Sequence, residues 1–174
     1  MLTTENWASA GNPGNPWGAS WALNFYLRHF QMNRQGSLVI GFGEVPNVAP
    51  PHTGWRTSTT QKRAQMLVER DAGGTIRWWA VLCTGAAVTA VQMTALAQPN
   101  TFPDIHVTLL FLAGQAFEIY SDGQLIVRAI VSLPAGSSGF LAGYGAWQTP
   151  VAGAPGNYMR VLAPSIVPIL EGVL

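Results

Sequence analysis

Residues 115–132 read QAFEIYSDGQLIVRAIVS. Two runs of alternating apolar and polar side chains flank Asp122-Gly123, and that pattern is the signature of a tight β-hairpin. A two-residue type I′ turn needs positive φ at both central positions, which Asp-Gly tolerates best. The pairing expected from it sets Phe117 and Ile119 opposite Leu125 and Val127. Leu133-Pro134 ends the pair, and just upstream Ile105–Leu112 forms a strong apolar strand closed by Gly114.

Working outward, the same period of two recurs. Trp21, Leu23, Phe25 and Leu27 face one way, Asn24, Tyr26 and Arg28 the other, so a half-buried strand spans Trp21–Phe30. Ser37–Phe42 is a second apolar run. Ala64, Met66 and Val68 alternate with Gln65, Leu67 and Glu69. Then Asp71-Ala72-Gly73-Gly74 turns the chain into Ile76, Trp78, Ala80 and Leu82, a second hairpin. Ala86–Met93, Gly139–Trp147 and Asn157–Leu162 supply the remaining strands. Residues 45–60 hold three prolines and a Thr/Ser run, and read as a long loop carrying His52 and Trp55. About ten strands and no helix make an all-β antiparallel sandwich.

The chain divides into an extended N-terminal arm (1–20), the sandwich (21–163) and an apolar tail (164–174). The arm mixes breakers, from Asn12 to Gly18, with Trp7 and Trp17, so it docks on its own domain or on a neighbour. The tail holds Ile166, Ile169 and Leu170. It would reach a neighbouring subunit or close the edge of its own sheet.

Composition bounds the function. Of 174 residues, 17 are charged (nine Lys+Arg, eight Asp+Glu), a net charge of +1. Ordinary domains carry about 25% charged residues. Thr, Ser, Asn and Gln number 39, so the polar surface is neutral. Such a surface suggests partner subunits over part of it. There is no basic field for nucleic acid, since Lys62, Arg63 and Arg70 are too few. No stretch reaches the ~18 apolar residues of a membrane span, and the first residues do not read as a secretory signal. The single cysteine, Cys83, makes no internal disulfide and reads as a buried thiol.

The stretch Ile76–Leu162 resembles the concanavalin A-like lectin/glucanase jelly roll, as it occurs in virion and glycan-binding proteins. The resemblance rests on Ile76-Arg77-Trp78-Trp79-Ala80-Val81, on Ile105-His106-Val107-Thr108-Leu109, on Phe117-Glu118-Ile119-Tyr120-Ser121-Asp122-Gly123-Gln124-Leu125-Ile126 and on Leu133-Pro134. It implies fold more than activity. Glucanases of that family carry two Glu and one Asp alternating on one strand. Here Glu118 stands alone on its strand, Glu69 and Asp71 sit at a hairpin end, and Glu44 is isolated, so no catalytic set is expected. Neither is a metal or any other cofactor: Asp71, Asp104 and Asp122 lie in different turns, and His29, His52 and His106 lack ligand-spaced neighbours. Gly41-Phe42-Gly43 reads as strand-end glycines rather than a dinucleotide fingerprint.

The leading expectation is a non-enzymatic virion structural protein, a bacteriophage capsid-decoration or fibre-type subunit assembled in the host cytoplasm. It would bind a capsid or other virion protein and its own copies, as a trimer by analogy, through Trp7, Trp17, Ile169 and Leu170. The alternative is a carbohydrate-binding module that stacks sugar rings on Trp55, Trp79, Tyr144 and Trp147.

Overall fold

The computed structural model describes residues 2–9, 19–43, 53–93, 105–129, 141–148, 152–153 and 155–169. Trp17, Glu44, His52, Asp104 and Leu170, all named above, lie outside them. So do the side chains of Trp7, His29, Tyr144 and Trp147, whose backbones are described.

The strands are β1 (Leu2–Ser9), β2 (Ser20–Gln31), β3 (Gly36–Gly43), β4 (Lys62–Arg70), β5 (Ile76–Thr84), β6 (Val88–Gln92), β7 (Ile105–Leu112), β8 (Ala116–Ser121), β9 (Gln124–Ala129), β10 (Leu141–Gln148) and β11 (Tyr158–Ile169). A six-stranded sheet runs β1-β10-β3-β4-β5-β6, a five-stranded sheet β11-β2-β7-β8-β9, and every pairing is antiparallel. Alternation explains how the sheets face one another. Leu23, Phe25 and Leu27 on β2, Val107, Leu109 and Phe111 on β7, and Phe117 and Ile119 on β8 meet Leu38, Ile40, Met66, Trp78 and Leu82 of the other sheet in one core. Each large side chain so buried contributes roughly 1.5–3 kcal/mol.

The Asp122-Gly123 turn has the expected geometry, with φ of 49° and 79°. The Asp122 amide donates to the His106 carbonyl (2.8 Å), and Asp122 Oδ1 accepts from the His106 amide (3.0 Å), tying the turn to β7. The register beyond it differs from the simple hairpin. A bulge between Ile119 and Tyr120 sets Phe117 opposite Ala129 and Leu125 opposite Tyr120, while Ile119 keeps Val127. The extra residue, Ile126, brings Val127 and Ala129 to the core side, while Leu125 shares the outer side with Tyr120 and is 51% exposed.

Both terminal segments contribute strands to their own chain. Leu2–Ser9 pairs with β10, and a register shift between Asn6 and Ala8 places Trp7 at a bulge. Strand β11 runs on through Pro164 to Ile169, with Ser165–Ile169 opposite Asn24–Ser20. The tail thus follows its own β2 rather than leaving the chain, and Ile166 packs against the core. Two prolines are tolerated there because β11 is an edge strand, where every second backbone N–H points away from the ladder. The loop before β4 contains one short helix, α1 (Thr53–Thr57), which the proline-rich sequence around it does not announce.

Candidate functional site

The outward face of the six-stranded sheet receives two of the four tryptophan and tyrosine residues expected to stack on sugar. Strand β4 is buried on both faces from Arg63 to Glu69, because α1 lies across its outer side. Trp55 of α1 packs on Val39, Leu67 and Val81 and is only 4% exposed, so it offers no ring face to a ligand. Trp79, which alternates away from core residue Trp78, borders the same cluster. The Arg56 guanidinium lies over its ring at 4.5 Å, which takes the outer face of the indole. Trp147 sits opposite Ser37 and Tyr144 opposite Ile40 in the sheet register.

Charges hold this covering in place. Arg63, fully buried, donates from Nη1 to the Gln61 carbonyl (3.0 Å) and from Nη2 to the carbonyls of Trp55 (3.1 Å) and Ser58 (2.6 Å). Those carbonyls close the C-terminal end of α1, where a cation also suits the helix dipole. Burial lowers the Arg63 pKa, and the nearby Cys83 works against that. Cys83 is buried, its thiol directed at the Ser58 carbonyl (3.6 Å). Arg56 pairs with Glu69 (3.3 Å). Burial raises the Glu69 carboxyl above its ordinary range, while Arg56, Trp79 and Arg77 pull it back. Arg77 itself binds Asp71 (2.9 Å) and holds that exposed carboxyl below its usual range. The carboxylates of this face are therefore committed to holding α1 and the β4–β5 hairpin.

The outward face of the five-stranded sheet is exposed at Tyr26 and Arg28, half-buried along β7 and buried at Glu118. Its positions follow from the strand period: Asn24, Tyr26 and Arg28 on β2, His106, Thr108 and Leu110 on β7, Glu118 and Tyr120 on β8. Tyr26 is 49% exposed, and its ring meets that of His106 at a centroid distance of 5.0 Å and 44°. One step along the strands, Thr108 donates to Asn24 Oδ1 (2.7 Å), and Tyr120 is the next residue in that row. The Tyr120 hydroxyl donates to Glu118 Oε2 (2.7 Å), which raises the phenol pKa, and Arg128 binds Glu118 Oε1 at 3.2 Å. Across the edge, Arg160 of β11 stands opposite Arg28, and both are exposed. An aromatic ring pair, a strip of amide and hydroxyl groups and two arginines thus lie on one face of the sheet. Asn24, Tyr26 and Arg28 were legible as the outer side of a strand. Their partner His106 was not, because only the β2–β7 register brings it to Tyr26.

Glu69 and Glu118 point away from the core on opposite sheets, so they flank no common cleft. Among the described residues no group of three or more His, Cys, Asp or Glu side chains could hold a metal ion, and no helix is long and apolar enough to cross a membrane.

No protein-family profile matches the chain, and no curated protein matches it in sequence. Solved structures do share its fold. The carbohydrate recognition domain of Emp47p aligns over 97% of this chain and 89% of its own, with a TM-score of 0.58 at 11% identity. An alginate lyase from Pseudomonas aeruginosa aligns over 92% and 70%, also at 0.58 and 11%. The carbohydrate-binding module CBM66 from Bacillus subtilis aligns over 95% and 81%, at 0.50 and 12%. At such identities the likeness defines the architecture, a lectin-like jelly-roll sandwich, and hosts of that architecture include both binding domains and an enzyme.

Proposed function

We propose that this protein is a non-catalytic, lectin-like domain that binds carbohydrate on the outward face of its five-stranded sheet. The observation that carries this is the Tyr26–His106 pair, an exposed ring set beside uncharged hydrogen-bonding groups. A sugar ring presents apolar C–H groups on its face and hydroxyls at its rim, so it needs a shelf with donors and acceptors around it. Tyr26 supplies the shelf, and Asn24, Thr108 and Tyr120 the rim. The non-catalytic part is supported by Glu69 and Glu118, each engaged by arginine and placed on opposite sheets. The named binding domains among the structural neighbours support the reading at the level of architecture. A glycan array probed with the full chain tests it. Retention of a defined glycan, weakened about tenfold (about 1.4 kcal/mol) by Tyr26→Ala and unchanged by Trp79→Ala, is the expected result. An array that retains nothing would sink the proposal, and turnover of a polysaccharide would sink its non-catalytic half.

One observation favours a second reading, in which the same face is a subunit interface of a virion protein. All three large apolar side chains exposed among the described residues, Tyr26, Leu125 and Val167, lie on this side of the five-stranded sheet. Together with the charge-poor composition, that is what a self-associating surface offers. Light scattering decides it: a trimer or other closed oligomer dissociated by Leu125→Glu supports the interface, and a monomer at micromolar concentration rejects it. Copurification with intact particles tests the virion setting.

A further inference from the structure

Two tyrosines share the outward side of the five-stranded sheet. Tyr26 on β2 is exposed, with His106 of β7 directly opposite. Tyr120 on β8 is half-buried and lies in the next row, opposite Thr108 of β7. From Tyr26 to Tyr120 is two strands across and one row along, about 12 Å by the usual strand spacing and rise. That exceeds a single pyranose and suits the first and third rings of an extended chain.

Tyr120 is held in place. Its hydroxyl donates to Glu118 Oε2 (2.7 Å), two residues back on the same side of β8, and Arg128 of β9 secures the other carboxylate oxygen at 3.2 Å. The phenol therefore leans along β8, over the strand, instead of projecting straight out from it. Glu118 is buried, and a carboxylate taken out of water is costly unless its oxygens are paired. Here both are, and one of the partners is this ring. A ring already fixed loses little freedom when a ligand seats on it. Between the two tyrosines lie His106 and Thr108. Thr108 gives its proton to Asn24 Oδ1 (2.7 Å), so toward a ligand it accepts, while the Asn24 amide can donate.

We infer that this face binds a linear β-1,4-linked glycan across at least three rings, the first on Tyr26, the second beside His106 and Thr108, and the third on Tyr120, which Glu118 positions. The inference rests on the carbohydrate reading above and names the class of ligand within it. Equatorial linkage extends a chain into a ribbon that reaches both tyrosines from one side of the sheet. An axially linked α-1,4 chain curls away.

The test is calorimetric titration of the full chain with β-1,4-linked glucose, mannose and xylose oligosaccharides of one to five rings, with α-1,4-linked glucose oligosaccharides for comparison. In a β-linked series affinity is expected to rise at least tenfold from two rings to three and little beyond, with no such step in the α-linked series. Tyr26→Ala should weaken every length. Tyr120→Ala should remove the step and leave one- and two-ring ligands unchanged. Glu118→Ala should shrink the step in the same selective way, and Glu118→Gln, which still accepts from the phenol, should restore it. Weakening of all lengths alike by the Tyr120 and Glu118 variants would make both residues structural and overturn the inference. Equal affinity for one ring and for three, or the same step in the α-linked series, would overturn it while the carbohydrate reading stands. Binding in none of the series would also overturn it. The glycan array then separates the two readings, since a retained glycan of another class keeps the broader one and an empty array ends both.

Discussion

Arg56 is shared between two neighbours, the carboxylate of Glu69 and the ring of Trp79, and its loss would leave a buried anion without its cation. Burial raises the Glu69 pKa and Arg56 opposes that shift, so Arg56→Ala should raise it further. A carboxyl whose folded pKa lies above its unfolded value favours the fold when protonated, and that contribution is lost as pH rises through the folded pKa. The variant's deficit should therefore be full at neutral pH, about 1–2 kcal/mol since Arg56 is 30% exposed and screened. It should narrow as pH falls below the raised Glu69 pKa. Urea denaturation at a series of pH values checks this, and a deficit independent of pH would assign the loss to the Trp79 contact instead. Gly123 offers a test of backbone alone. Its φ is 79° and open space surrounds its Cβ position, so Gly123→Val acts only through conformation. Thermal unfolding should show a loss of roughly 1–3 kcal/mol.

At the scale of elements, α1 is too short to be stable by itself. It exists because Trp55 has an apolar seat on β3, β4 and β5 and because Arg63 gathers three carbonyls from residues 55–61. Arg63→Ala should destabilise the protein by about 3 kcal/mol or more, the scale for stranding buried polar groups. It should also free α1, visible as a red shift and easier quenching of tryptophan fluorescence. Unchanged fluorescence with the stability loss would mean that packing of Trp55 suffices to hold the helix. The segment's covering role also explains why β4 reads as a continuous apolar and amide run instead of a clean alternation.

For the whole molecule, the two terminal segments supply edge strands of opposite sheets, β1 on one and β11 on the other. The two loops that carry the chain between the sheets, β2–β3 and β10–β11, are also tied to each other. Asn33 donates to the Gly156 carbonyl (2.9 Å), and Asn157 exchanges bonds with the Arg34 backbone at 2.7 and 2.9 Å. A chain trimmed to residues 19–163 would lose β1 and the last part of β11, baring β10 and part of β2 as new edges. It should unfold at lower denaturant concentration and aggregate, with circular dichroism following both. A trimmed chain as stable as the full one, yet reduced from oligomer to monomer, would instead give the terminal segments to subunit contact.

Strand period, the Asp-Gly turn and the hydrophobic core from Leu23 to Val127 could be read from the residues, because each depends on neighbours within a few positions. The same local signals named Trp78 and Trp79 as facing opposite ways. Which aromatic stays open to a ligand depended on contacts far apart in the chain. Trp55 and Trp79 look like stacking platforms until α1 folds over β4 and Arg56 lies on the indole. Tyr26 looks like an ordinary outward residue until β7 sets His106 beside it. Prolines 164 and 168 halt a strand when judged by propensity, and only the position of β11 at a sheet edge makes them harmless. Periodicity sorts side chains between the two sides of a strand, whereas the pairing of distant strands and the path of a loop decide which of those sides meets solvent.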